Sequence, residues 1–170
     1  AAQRILLSQR NRADARTALQ QAISAGAAFV TYVGHGGLDR LARTGLLTSA
    51  DVPALSNASR LPIVVAATCS TGQYTIPGRD SLAEALVRST SGGAVAVLAP
   101  STLAYNIEST ALAEAFHRAV NQGSARLGDA VLSAVVAHAG VLPRDPDRKT
   151  VWRIYNLIGD PAAILRTAER

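Results

Sequence analysis

The chain holds one cysteine, Cys69, and three histidines, His35, His117 and His138. Cys69 stands in Thr68-Cys69-Ser70-Thr71-Gly72, directly after the apolar run Leu61-Pro62-Ile63-Val64-Val65-Ala66-Ala67. His35 stands in Gly34-His35-Gly36-Gly37, directly after Ala27-Ala28-Phe29-Val30-Thr31-Tyr32-Val33. A thiol is a strong nucleophile only as thiolate, and a nearby imidazole promotes that form and later protonates a leaving amine. Acyl transfer also needs backbone N–H groups aimed where an oxyanion will form. Gly36 can offer its amide with no side chain in the way, and the amide of Cys69 is a natural second donor. Singly, Cys69 reads as a small buried hydrophobe and His35 as a turn residue. Together, each at the end of an apolar run and each followed by a glycine-containing loop, they point to nucleophilic catalysis.

The other candidates carry less. His117 lies on an amphipathic stretch beside Phe116, and His138 falls near a helix C-terminus, where a cation suits the helix dipole; both read as structural. Gly34 to Gly37 lacks the Gly-x-Gly-x-x-Gly spacing of a dinucleotide site. No third and fourth zinc ligand has matching spacing, and Gly-x-Ser-x-Gly is absent. A lone cysteine excludes an internal disulfide.

The positioning elements follow from the pattern. Runs 27–33, 61–67 and 94–99 read as buried strands. In open α/β sheets, ligands bind at the carboxyl ends of such strands. Ala15, Ala18, Leu19, Ala22 and Ile23 follow helical spacing, with Asn11 as N-cap and Gly26 as stop. Leu38 to Gly45 reads as an irregular loop carrying Asp39, Arg40 and Arg43. Thr48 to Asp51 caps a short helix through Leu55, and Ser81-Leu82-Ala83-Glu84 is a capping box for a helix to about Ser89. Two more amphipathic helices carry Leu112 to Val120 and Leu127 to Val135, ending near Gly123 and Gly140. Residues 143–149 read as an exposed loop, and Val151 to Leu165 as two strand-like pieces around Gly159-Asp160-Pro161. Alternating helix and strand predicts a parallel sheet with the cysteine strand beside the histidine strand.

Composition sets the bounds. The 170 residues are 48% hydrophobic but only 4% aromatic, so one domain must build its core from Ala, Val, Leu and Ile. The net charge of +5 comes mainly from scattered arginines, with no Lys/Arg run dense enough for a nucleic-acid surface. No apolar run reaches the roughly 20 residues of a membrane span. The N-terminus lacks signal-peptide grammar and a starting Met, which suggests a piece of something longer.

Five segments resemble, in order, the gingipain-type cysteine peptidases, relatives of caspases, legumain and separase. They are Tyr32-Val33-Gly34-His35-Gly36-Gly37, Ala67-Thr68-Cys69-Ser70-Thr71-Gly72, Ser81-Leu82-Ala83-Glu84-Ala85-Leu86, Gly92-Gly93-Ala94-Val95-Ala96-Val97 and Leu157-Ile158-Gly159-Asp160-Pro161-Ala162. The resemblance implies an α/β caspase-like three-layer sandwich, a mainly parallel sheet with helices on both faces, filling residues 1–170 as one catalytic subdomain. It implies Cys69 as nucleophile, His35 as general acid/base and the Gly36 and Cys69 amides as oxyanion hole. Ser101, Thr102 and Tyr105, in the loop Pro100 to Asn106, would wall the substrate pocket. The substrate would be a protein or peptide, and the chemistry needs no cofactor, although the family allows for a structural calcium. In the family two strands and a carboxylate-bearing loop precede the histidine strand. A missing N-terminal segment or a partner chain is therefore expected to complete the sheet. Family analogy suggests a secreted or cell-envelope setting. The rival readings are a CHAT-type caspase-like protease and a non-catalytic caspase-like scaffold.

Overall fold

A computed structural model describes residues 3–141 and 151–165, with the side chains of 140 and 141 left out. The loop expected at 143–149 lies outside the described residues. Helix α1 spans Arg12–Ser24; the Asn11 side chain caps it by accepting from the Asp14 amide at 2.9 Å. Its buried stripe of Ala15, Ala18, Leu19 and Ile23 is the one its spacing predicts. Strand β1 (Phe29–Val33) follows, then β5 (Ile63–Ala67) and β6 (Ala96–Pro100), with helix α2 (Leu82–Arg88) between the last two. The α2 start is the expected capping box, the Ser81 amide donating to Glu84 Oε2 at 2.8 Å.

These three strands form a parallel sheet of order β1–β5–β6, and β7 (Tyr155–Gly159) adds antiparallel to β6. The cysteine strand is thus the direct neighbour of the histidine strand, as the alternation predicts. β6 runs one residue past the expected run to Pro100, which pairs with Tyr155. Strand parity divides the core in two. Val64, Ala66, Val97 and Ala99 face one layer with α1 and α2. Ile63, Val65, Ala67, Ala96 and Leu98 face the other, packed by α3 (Asn106–Asn121) and α4 (Leu127–Val141). Burial on both faces explains why these strands read as continuous apolar runs rather than alternating ones.

Two expectations are corrected. The stretch Leu38 to Gly45 is not simply an irregular loop: with its flanks it forms β2 (Gly36–Gly37), β3 (Arg40–Leu41) and β4 (Leu47–Thr48), a small antiparallel meander. Leu41, Leu46 and Leu47 fold under it into the α1/α2 layer of the core. A 3-10 turn at Ser49–Ala54 follows, capped reciprocally by Thr48 and Asp51. Arg16 of α1 bonds both Asp51 and the Gly45 carbonyl, tying the meander to the sandwich. In the tail, Val151–Ile154 is a helical turn (α5) rather than a strand, and among the described residues beyond Gly159 only Ile164 makes a single bridge, to Arg126.

Candidate active site

The register of β1 and β5 decides where the two reactive side chains leave the sheet. Val33 pairs with Ala67, and the ladder extends by one bond, Gly34 N to Ala67 O at 3.1 Å. His35 and Cys69 each stand two residues beyond that last pair, at one edge of the sheet. Gly36 then lies directly against Thr68: a Cβ built on it would sit 2.4 Å from Thr68 Oγ1. Only a glycine lets the chain after the histidine pass this close to the residue before the cysteine.

The Gly36 amide has a defined direction. Ala42 N donates to His35 O at 2.8 Å, which makes His35 and Ala42 a hydrogen-bonded pair. Pairs alternate along an antiparallel ladder, so Gly36 and Leu41 form the next, non-bonded pair. The Gly36 N–H therefore turns away from β3 and remains outside the ladder. The His35 carbonyl is held from a second side by the Tyr32 hydroxyl at 2.7 Å. Burial raises the Tyr32 pKa, so that hydroxyl stays a donor.

Cys69 is half-buried, and its thiol meets the Ala104 carbonyl at 3.4 Å. The next residue, Ser70, takes the left-handed conformation at φ 54°, rare for a residue with a side chain. Two bonds hold this sharp turn, Ser70 N to Thr102 O at 3.0 Å and Gly72 N to Pro100 O at 2.9 Å. Gly72 is packed so closely on Ala99 that a Cβ would come within 3.0 Å of its carbonyl oxygen. The loop after the cysteine and the loop after β6 are thereby zipped together. Beneath them lies Tyr155, whose hydroxyl donates to the Ala66 carbonyl at 3.1 Å. Burial pushes its pKa up to about 12, against opposing hydrogen bonds from the Ser109 side chain and the Thr68 backbone; the nearby Cys69 thiol adds to the rise. Sequence reasoning missed Tyr155, because its position follows only from β7 lying antiparallel on β6.

The remaining candidates divide. Ser101 is turned inward, its amide and hydroxyl both donating to the Ile154 carbonyl at 2.8 and 3.1 Å. Thr102 and Tyr105 are exposed on the same loop. His117 packs edge-on to Phe29 and Phe116, and its Nε2 lies 2.8 Å from Thr31 Oγ1; His138 is buried on α4. Burial lowers the pKa of both, for His138 against the opposing pull of Glu108. His117 is held against Thr31, in the middle of β1 rather than at its Cys69 end. Asp39 forms a two-pronged ion pair with Arg40, both contacts at 2.8 Å, which holds its carboxyl below the usual range.

The sequence profile of Peptidase family C25 matches residues 2–166. This chain belongs to peptidase family C25. No curated protein matches it significantly. Among solved structures, the complex of Porphyromonas gingivalis RgpB pro- and mature domains superposes with a TM-score of 0.81 at 19% identity, over 89% of this chain and 37% of that one. The Arg specific cysteine proteinase gingipain R gives 0.80 at 21% identity, over 89% and 36%. A structure described as a protease gives 0.75 at 17%, over 85% and 36%. These likenesses establish the gingipain caspase-like fold, and the C25 chain spans little more than a third of each of those structures.

Two features of the C25 chain bear on what it could bind. No group of three or more His, Cys, Asp or Glu side chains converges among the described residues. No helix among them is long and apolar enough to cross a membrane. On the far side of β1 from β5, a groove of about 750 Å³ runs beside the strand, lined by Ile5, Leu19, Phe29, Thr31 and His117 among others. Among the described residues β1 pairs on one side only, so its outer edge carries ladder positions that none of them fills.

Proposed function

We propose that this chain is the thiol-bearing part of a cysteine endopeptidase working through Cys69 and His35. The observation that carries the reading is the register. Adjacent parallel strands deliver a lone cysteine and a glycine-flanked histidine, each two residues past the same ladder pair. In this reaction His35 takes the Sγ proton as Sγ attacks the scissile carbonyl carbon. The oxygen that gains charge accepts hydrogen bonds from the Gly36 and Cys69 amides, where fixed donors act strongly because they need no reorganisation. The imidazolium passes its proton to the leaving amine, and the C–N bond breaks to leave a thioester on Cys69. His35 then deprotonates water, which attacks the thioester, and the thiolate leaves and is reprotonated. Thr102 and Tyr105, on the loop whose Ala104 carbonyl touches the thiol, border the substrate's path. Ser101, on the same loop and bonded to the Ile154 carbonyl, walls the pocket with them.

The substrate is a protein or peptide, and the strand edge bordering the β1 groove takes a further strand from preceding polypeptide or another chain. The groove supports this, since an apolar trough beside an unpaired edge suits β-addition. Treatment with a peptidyl chloromethyl ketone tests the reading: one adduct on Cys69, absent in Cys69→Ala, is expected. Absence of any adduct on the correctly folded full polypeptide would replace the peptidase reading with that of a caspase-like scaffold.

A further inference from the structure

Pro100 stands in β6, a strand paired on both sides, by β5 and by β7. A proline inside a sheet is unusual, because it takes a donor out of the ladder. The lost donor can be located. Ile63 N donates to Ala28 O and Gly34 N donates to Ala67 O, so the odd residues of β5 turn their backbone to β1 and the even ones to β6. With Val65 opposite Leu98, the Ala66 carbonyl would accept from the amide of residue 100, and the carbonyl of residue 100 from the Thr68 amide. Pro100 has no amide hydrogen, and the pairing of β5 with β6 stops at Val65 and Leu98.

Two other groups take over these places in the ladder. The Tyr155 hydroxyl donates to the Ala66 carbonyl at 3.1 Å. Tyr155 is the residue opposite Pro100 on β7, so its ring reaches across β6 to β5. The Pro100 carbonyl accepts instead from Gly72 N at 2.9 Å. Gly72 therefore stands where Thr68 would, and residues 68–71 are put out of the sheet with Cys69 among them. The Gly72 bond and that of Ser70 N to Thr102 O, at 3.0 Å, hold the far flank of this turn. On the near flank Gly34 N fixes the Ala67 carbonyl to β1, and the Tyr155 hydroxyl fixes the Ala66 carbonyl on the β6 side.

We infer, resting on the peptidase reading, that Tyr155 is a positioning residue for the nucleophile. Its hydroxyl stands in for the amide that Pro100 lacks, holds β5 apart from β6 at their carboxyl ends, and so fixes the turn that presents Cys69 Sγ. A direct ladder bond would draw the Ala66 carbonyl to about 3 Å from the nitrogen of residue 100. An interposed hydroxyl keeps the strands further apart, and the carboxyl ends of parallel strands are where α/β sheets bind ligands. Without it, the chain from Ala66 to Cys69 loses its tie on the β6 side, and a misplacement of about 1 Å at a reacting atom costs about 100-fold in rate. Tyr155 lies beneath the turn, so the loss falls on the reaction step rather than on binding.

The test separates the reaction step from binding. The full polypeptide is inactivated by a panel of peptidyl chloromethyl ketones ending in Leu, Phe, Ala, Arg, Lys or Asp, and the adduct on Cys69 is followed. For the reagent that labels the parent fastest, Tyr155→Phe should lower kinact about tenfold or more and change KI by less than about twofold. Tyr155→Phe/Pro100→Ala supplies an amide that can bond Ala66 directly. Its urea midpoint should return toward that of the parent, while kinact stays low because the strands have closed together. An unchanged kinact in Tyr155→Phe, or recovery of kinact along with the midpoint in the double variant, would overturn the inference and leave the peptidase reading standing. The hydroxyl would then do no more than satisfy a carbonyl. No adduct on Cys69 of the parent from any reagent would overturn both.

Discussion

Gly36→Ala is the most exacting test of the contact that brings the two strand ends together. The new Cβ would lie 2.4 Å from Thr68 Oγ1, 3.2 Å from Thr68 Cγ2 and 3.2 Å from the Arg40 carbonyl. Thr68 cannot give way: it is fully buried, and its β-branched side chain is stiff at χ1. Overpacking of this kind costs about 1–3 kcal/mol. For a chain of this size that lowers Tm by about 2–12 °C. Thr68→Ala removes both offending atoms and leaves only the 3.2 Å approach to Arg40. The Thr68 hydroxyl is buried without a hydrogen-bond partner among the described residues. Deleting it therefore costs little beyond a methyl group, about 1 kcal/mol. Gly36→Ala/Thr68→Ala should then be nearly as stable as Thr68→Ala alone, measured by urea and thermal unfolding. The peptidase rate should follow, because displacing one oxyanion donor costs about 100- to 1000-fold and relief of the clash restores it. If the two substitutions simply add, Gly36 does not rest on Thr68 and the site geometry argued above is wrong.

Other outcomes are as specific. Asp39→Asn should leave the peptidase rate nearly unchanged and move Tm by no more than about 2 °C, because the pair with Arg40 is exposed. The Asp39 carboxyl is held low in the folded state, so its small contribution is present above the ordinary Asp range and fades as pH falls through the lowered value. His117 and His138 both have folded pKa values below the ordinary 6.5, so their neutral forms favour the native state. Stability should hold above that value and fall as pH drops through the lowered values, and NMR titration should find both rings protonating later than free histidine. Tyr155→Phe leaves the Ala66 carbonyl without its donor, and should cost about 1 kcal/mol and lower Tm by about 2–4 °C in a thermal melt.

Much of this arrangement is legible in the sequence because it is local. Asn11, Ser81 and Glu84 cap the helices they precede, and Ile63 to Ala67 is apolar on both faces because both faces are covered. The meander at 36–48 was not legible: strands of two residues are shorter than the period that would betray them, and Arg40 in one of them reads as solvated. The helical turn at Val151–Ile154 was hidden for a similar reason, since four residues with Val and Ile carry strand propensity that tertiary packing overrides. Cys69 and His35 announce themselves by type and setting. The residues that support them, Thr68 under Gly36 and Tyr155 under Ala66, are apparent only once the strands are paired.

The central claim is that His35 activates Cys69, and the single cysteine makes it directly measurable. The measurement is the second-order rate constant for alkylation of Cys69 by iodoacetamide at neutral pH, followed by intact mass, for the parent and for His35→Ala. If the imidazole takes the thiol proton, the variant should react about tenfold more slowly or worse, while His117→Ala reacts at the parent rate. Equal rates for the parent and His35→Ala, with both folded, would contradict the pairing of these two residues.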